Sequence, residues 1–275
     1  MPTLHPFFQI RKWWEWRLQS RSRYGVHSPF VFDLLTRGLQ APVPAGDARK
    51  MLEFRRQWLN DRRKINITDP GAGSRRPGFG PRRIRALART AGSSQRQMFL
   101  LYRLARYFRP ARILELGTHL GIGTFALHCG APGAEIITVE GSRELFGLAK
   151  ENFEKRELKN IRPVFGLFDN VLPDLLGKQS FDMIVVDGNH RYGATLKYFE
   201  MLLQSVPPQG FVLWDDIRWS PGMWRAWEHI RRHPQVRLSL DLYRTGITFF
   251  DPSRRQKEHF ALRHGRPLSF FGLFD

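Results

Sequence analysis

Residues 113–124, ILELGTHLGIGT, constrain this chain more than any other stretch. Ile113, Leu114 and Leu116 form a short apolar run suited to a buried strand. The run carries a carboxylate, Glu115, just ahead of Gly117, Gly121 and Gly123. Glycine lets a backbone turn sharply and approach a ligand closely. A strand that feeds a glycine-rich turn opening a helix is how open α/β sheets build nucleotide-type sites, at the carboxyl ends of their strands.

The sequence around this segment keeps the same rhythm. After a helix beginning at Ser93-Ser94 and stopping before Pro110, the pattern predicts strands at 112–116, 135–140 and 161–166. Helices near 122–129, 142–156 and 171–176 alternate with them. FDMIVVD ends a fourth strand at Asp187, a helix covers about 192–204, and GFVLWDD ends a fifth strand at Asp215-Asp216. A Trp-rich helix (221–232) and closing strands near 236–241 and 246–250 follow. Continuous apolar strands alternating with helices argue an α/β fold, a mostly parallel doubly wound sheet covered by helices on both faces. We divide the chain into a helical N-terminal extension (1–92), an α/β domain (93–252) and a C-terminal tail (253–275).

At 275 residues, 42% hydrophobic and 25% charged, the composition is that of a globular protein with a substantial core. No apolar run approaches the roughly 18 residues a membrane span needs. Phe7, Phe8 and Ile10 are followed at once by Arg11 and Lys12, unlike a signal peptide. Cys129 stands alone, so the expected compartment is the reducing cytoplasm. The formal net charge of +19 is uneven: residues 1–92 hold 19 Lys/Arg against 6 Asp/Glu, the remainder 25 against 19. Within the extension, Ser28-Pro29 opens a helix to about Leu39, Asp47 is placed to cap another, and 66–81 is a Gly/Pro/Arg-rich loop.

Two frames fit the glycine turn. Gly121-Ile-Gly123-Thr-Phe-Ala126 satisfies the dinucleotide pattern G-x-G-x-x-G/A, with Glu140 at the next strand end. Four residues, 117–120, separate it from the strand, however. The frame Glu115-x-Gly117-x-x-x-Gly121-x-Gly123 starts at the strand itself and puts a carboxylate where a cationic amino-acid moiety would sit. Glu140 can then accept from both hydroxyls of a ribose. In this second frame the sequence resembles the class I S-adenosylmethionine (SAM) methyltransferases. Asp187-Gly-Asn-His190 with Tyr192, followed by GFVLWDDI, is similar to their metal-assisted O-methyltransferase-like group. Residues 24–30 (YGVHSPF), 71–74 (GAGS) and 249–252 (FFDP) resemble a bacterial branch of it. The resemblance implies a Rossmann-like sheet with an antiparallel closing strand and SAM as cofactor. It further implies that Glu115, Gly117, Thr118, Gly121 and Gly123 surround the methionine part, Glu140 holds the ribose and Phe168-Asp169 faces the adenine, with Asp187 also among the cofactor-binding residues.

Asp187, Asp215 and Asp216 all follow strand ends on that side, and three carboxylates repel unless positive charge lies among them. Magnesium or another hard divalent cation takes such oxygen ligands. It would lower the pKa of a substrate hydroxyl, leaving Asp187 or His190 to accept the proton. Structural readings stand beside this: Asp216 as a helix cap, Asp215 paired with an arginine such as Arg218, His190 packed in a loop.

The aromatic and basic extension fits packing on the α/β domain or on a second subunit of a homodimer. Its composition also suits an anionic membrane surface or RNA phosphates, and loop 69–80 suits a lid near His27. The expected activity is therefore methyl transfer to an oxygen of an unidentified methyl acceptor. The alternatives are an NAD-binding oxidoreductase, an aminopropyltransferase (disfavoured by the basic charge), or an RNA- or membrane-binding protein on the same fold.

Overall fold

A computed structural model of the chain describes residues 6–67, 81–90 and 92–264. The N-terminal part comprises α1 (Pro6–Gln19) and α2 (Pro29–Asp33), which continues as a π-helical turn (Leu34–Leu39). It is completed by α3 (Ala45–Asn60), a two-residue ribbon β1 (Lys64–Ile65) and β2 (Arg82–Arg83), and α4 (Ile84–Thr90). Then come α5 (Gln95–Phe108), β3 (Arg112–Leu116), α6 (Ile122–Gly130), β4 (Glu135–Glu140), α7 (Arg143–Lys155), β5 (Ile161–Phe165) and α8 (Phe168–Lys178). The remaining elements are β6 (Met183–Val186), α9 (Tyr192–Leu203), β7 (Phe211–Trp214), α10 (Pro221–Arg232), β8 (Leu238–Asp241), β9 (Gly246–Phe249) and β10 (Glu258–Ala261).

Local signals explain where the helices begin and end. Ser94, Ser142 and Ser220 each accept a first-turn backbone N–H at the starts of α5, α7 and α10. At its other end α5 stops in a left-handed Arg109 (φ 50°), ahead of Pro110. Asp47 does not cap α3, which starts two residues earlier at Ala45. Its carboxylate instead accepts from the Tyr102 hydroxyl at 2.6 Å.

Eight strands form one sheet in the order β10-β8-β9-β7-β6-β3-β4-β5. All neighbours are parallel except β9, which is antiparallel to both β7 and β8. This is the Rossmann-like, mostly parallel architecture with a closing antiparallel strand. The sheet also runs past residue 252, because β10 pairs with β8 (Phe260 opposite Leu240). Side chains alternate between faces. Ile113, Ile136 and Leu213 meet one helical layer, while Leu114, Ile137, Ile184 and Trp214 meet the other.

The extension is built into the first of these layers. Val31, Leu34, Leu35, Met51, Phe54 and Trp58 share a core with Leu101, Ile113 and Phe125. Phe54 lies flat on Phe125 (ring centroids 4.2 Å apart, planes 9° apart), and the Arg156 guanidinium sits over Phe54 at 5.0 Å. Trp16 of α1 packs on Tyr243 and donates to the Asp241 carbonyl at 3.1 Å, while Phe7, Trp14 and Leu18 remain exposed. Among the described residues no helix is long and apolar enough to cross a membrane. Loop 69–80, expected as a lid, lies outside the described residues.

If extension and sheet share one core, Phe54→Ala should cost about 3–5 kcal/mol and move a single cooperative urea transition. Two separable transitions, with only one of them shifted, would contradict the shared core.

Candidate functional site

The parallel strands β3 to β7 all end on one edge of the sheet, and β3 is the switch point. The chain moves from β3 outward through β4 and β5, then returns to place β6 on its other side. Ligand crevices form at such a point, beyond the carboxyl ends. Gly117 leaves β3 at φ 108°, where a Cβ would stand 1.9 Å from the carbonyl oxygen of Asp187. Gly121 (φ 74°) begins α6 with no room beyond it, because a Cβ there would meet the Phe153 ring at 2.5 Å. Only glycine fits either position.

Beneath this turn Glu115 is buried in a hydroxyl relay. Thr124 and Thr138 both donate to Glu115 Oε2. The Thr138 proton is thereby committed, so the 2.6 Å contact between Thr118 and Thr138 is a donation from Thr118. Glu115 Oε1 faces α6, 2.8 Å from where a Cβ of residue 123 would be. Burial outweighs the two donated bonds, and the nearby Glu140 charge adds to it, so the Glu115 pKa is pushed up to about 7. The Thr118 side chain is thus turned inward, and only its backbone lies along the turn.

Glu140 ends β4 with its carboxylate fixed by two backbone donors, His119 N–H to Oε2 (2.7 Å) and Ser142 N–H to Oε1 (2.8 Å). Phe168, at the start of α8, lies against Gly188, where a Cβ would meet its ring at 2.9 Å. Asp169 turns outward to Lys197 and the Tyr198 hydroxyl (3.4 Å).

At the other end of the crevice Asp187, Asp215 and Asp216 come within electrostatic reach of one another. Burial, then the charges of Asp215, Asp216 and Glu115, raises Asp187 well above the ordinary carboxylate range. Asp215 is pushed up to about 6 by burial and by Asp216. His190 Nε2 lies 3.7 Å from Asp187 Oδ1. The three aspartates do not face a common centre, however. Asp216 Oδ1 accepts from Arg244 Nη2 (2.8 Å) and Nε (3.2 Å), while Asp215 Oδ1 accepts from Thr245 (3.1 Å). Among the described residues no group of three or more His, Cys, Asp or Glu is arranged to hold a metal. Arg218 pairs with Asp241 and not with Asp215, and Ser220, not Asp216, caps the next helix.

Backbone strain also marks the edge, at two residues of the sequence motifs, Asn189 and Asp216, and at two not singled out from sequence, His119 and Tyr243. His119, Asn189, Asp216 and Tyr243 are non-glycine residues with positive φ (50°, 51°, 51° and 77°) gathered there. Such conformations cluster at functional sites. Asn189 Nδ2 donates to Tyr198 (2.8 Å), and its buried Oδ1 has no partner among the described residues. The same is true of His119 Nδ1 and Gln97 Nε2. Buried polar atoms left unpaired in a crevice fit a ligand that supplies the missing bonds.

Comparison with known proteins bears on the fold and on the stretch that carries this edge. Residues 114–217 match the family model of a methyltransferase domain. Over 117 residues the chain is 34% identical to an O-methyltransferase of Aspergillus hancockii. The match covers 40% of this chain and 46% of that protein, so the chain spans less than half the length of this curated relative. Among solved structures it resembles an SAH-bound methyltransferase of Podospora anserina (TM-score 0.53, 20% identity, 76% of this chain and 97% of that one). It also resembles the O-methyltransferase TomG of Streptomyces achromogenes in complex with SAM (TM-score 0.51, 20% identity, 80% and 94%). The fold is the one these solved methyltransferase structures share, and residues 114–217 are the stretch that matches the methyltransferase domain model.

The raised carboxylates make stability depend on pH. An acid whose folded pKa lies above its unfolded value binds more protons folded than unfolded between the two, so stability falls as pH rises through that window. For Glu115 the window runs from its ordinary 4.5 to about 7 and corresponds to roughly 3 kcal/mol. The protein should melt at higher temperature at pH 5 than at pH 8, and Glu115→Gln should flatten that slope. An unchanged slope in the variant would mean that Glu115 is ionised throughout.

Proposed function

We propose that this chain is a SAM-dependent methyltransferase that methylates an oxygen nucleophile of an unidentified acceptor. The observation that carries the reading is the pair of carboxylates on either side of the Gly117 turn. Glu140, oriented at the end of β4 by two backbone donors, suits a ribose diol. Glu115 beneath the turn suits the ammonium group of an amino acid. When bound, SAM supplies a sulfonium methyl for in-line transfer to an oxygen. Glu140 accepts the two ribose hydroxyls, and Phe168 offers an aromatic face beside Gly188 for the adenine. Asp187, already raised and backed by His190, accepts the proton of the acceptor hydroxyl. The buried carboxylate charges favour a positive ligand among them, and its arrival pulls Glu115 back toward the ionised form.

A divalent ion on Asp187, Asp215 and Asp216 forms no part of this reading, because Asp216 is already engaged by Arg244. The lone Cys129 fits a reducing compartment, and the proposal places the enzyme in the cytoplasm.

Calorimetric titration with SAM, SAH and NAD tests the reading. SAM and SAH should bind and NAD should not, and Glu140→Ala should weaken SAM by about 10- to 100-fold, the usual loss for hydrogen bonds to a charged group. NAD binding more tightly than SAM would establish the dinucleotide frame instead. Incubating cell extract with methyl-labelled SAM and sorting the product into lipid, RNA, protein and small-molecule fractions identifies the acceptor class.

A further inference from the structure

We propose that Arg244 is the cation of the acceptor pocket: its guanidinium donates to the acceptor oxygen, so a single acidic hydroxyl, with no neighbouring oxygen to chelate a metal, is the group this site methylates. The inference rests on the methyltransferase reading above and deepens it.

Arg244 is carried by the turn between β8 and β9. Because Trp214 pairs with Gly246, that turn lies beside the carboxyl end of β7, where Asp215 and Asp216 stand. The two turns are locked together. Ile217 N–H donates to the Arg244 carbonyl (2.9 Å), Leu242 N–H closes on Thr245 (2.9 Å), and the left-handed Asp216 and Tyr243 face across the junction. A second arginine fixes the turn from below. Arg218 forms a two-pronged pair with Asp241 (2.7 and 2.6 Å), with side chains only 5% and 3% exposed, and also donates to the Tyr243 carbonyl (2.6 Å). Arg218 is therefore buried in the fold with both terminal nitrogens engaged.

Arg244 differs from it in every respect. Both of its bonds fall on one oxygen, Asp216 Oδ1, from Nε and Nη2. Nη1 makes no hydrogen bond to a described residue, and the side chain is 45% exposed at the mouth of the crevice. Its positive charge counters the mutual repulsion of Asp187 and Asp215, the office expected of a metal from the sequence. A divalent ion at the trio would have to displace Arg244 from Asp216 and then sit beside a like charge. A guanidinium in place offers the remaining donor edge to an oxygen.

The step balances with these groups alone. The acceptor oxygen, steadied by Arg244, uses a lone pair to form the O–CH3 bond. The C–S bond breaks with its electron pair going to sulfur, and the hydroxyl proton passes to the Asp187 carboxylate.

The test uses the SAH-loaded protein with 4-nitrophenol, whose absorbance reports ionisation, in EDTA and separately in Mn2+. In EDTA the wild type should bind the probe and shift its spectrum toward the phenolate. Arg244→Met should weaken binding by about 10- to 100-fold and abolish the spectral shift. Arg244→Lys, which keeps the charge without the fork, should recover part of both, with SAH affinity equal in all three proteins. Mn2+ should leave probe binding unchanged, and electron paramagnetic resonance should show it free in solution. Probe binding or spectral shift that requires Mn2+, protein-bound Mn2+ in the wild type, absence of the shift in EDTA, or an Arg244→Met protein equal to wild type would each overturn the proposal. Failure of the wild type to bind SAH is a separate result that overturns the methyltransferase reading itself.

Discussion

The backbone of Gly117 lies so close to the Asp187 carbonyl that no side chain fits between them, and the carboxyl edge of the sheet is organised around that contact. It draws the end of β3 onto the end of β6. The glycine turn and its two glutamates then belong to the same crevice as the aspartates and His190. Parallel pairing does the rest, since β4 carries Glu140 to one side and β7 carries Asp215-Asp216 to the other. A crevice at a switch point needs a ligand-sized opening between neighbouring crossovers. Here the opening is bounded by positions where only glycine fits and by left-handed His119 and Asn189. Strain of this kind persists where the surrounding pairing over-determines it.

The electrostatics of the edge run against the composition. A chain of net charge +19 concentrates Glu115, Glu140, Asp187, Asp215 and Asp216 in one crevice. Its many arginines do not neutralise them, because screening and distance confine each charge to its neighbours. Burial therefore raises Glu115, Asp187 and Asp215 instead of leaving them ionised at ordinary values. Carboxylates held in this state respond strongly to any cation that enters, whether a sulfonium or an ammonium. Arg244 is the guanidinium that touches the group, and it touches only Asp216.

Much of this was legible in the sequence because the signals were local. Strands β3 to β7 have the period and length of buried parallel strands, and β4 and α10 begin and end where their patterns do. The serines at 94, 142 and 220 act within one helical turn. Four features escaped for one shared reason, that they depend on partners brought together only by the fold. The strand β10 is a mixed EHFA segment that is a strand only because β8 presents an open edge to it. Asp47 has the look of a cap, but Tyr102, 55 residues on, takes its carboxylate. Arg244 lies 28 residues from Asp216, and nothing in its YRTG context or charge pattern distinguishes it from Arg218, the nearer arginine that Asp241 claims. The hydroxyl relay to Glu115 is equally silent in sequence, since Thr118, Thr124 and Thr138 converge only after β3, β4 and α6 pack.

The basic extension connects to the same chemistry through a single turn. Trp16 donates to the Asp241 carbonyl, the Tyr243 hydroxyl reaches the Gln9 carbonyl (3.4 Å), and Lys12 stands over the Trp224 ring at 4.4 Å, with Arg218 over the same ring at 4.5 Å. Helix α1 thus rests on Asp241, Arg218 and Tyr243, the residues that set the height of Arg244 over the aspartates. Tyr243, which α1 touches, directly precedes Arg244 in the chain. Cores of this density transmit displacements and do not absorb them. An extension whose Trp13 and Trp16 are buried with Tyr243 is therefore packed into the turn that carries Arg244, and the two belong to one cluster of side chains.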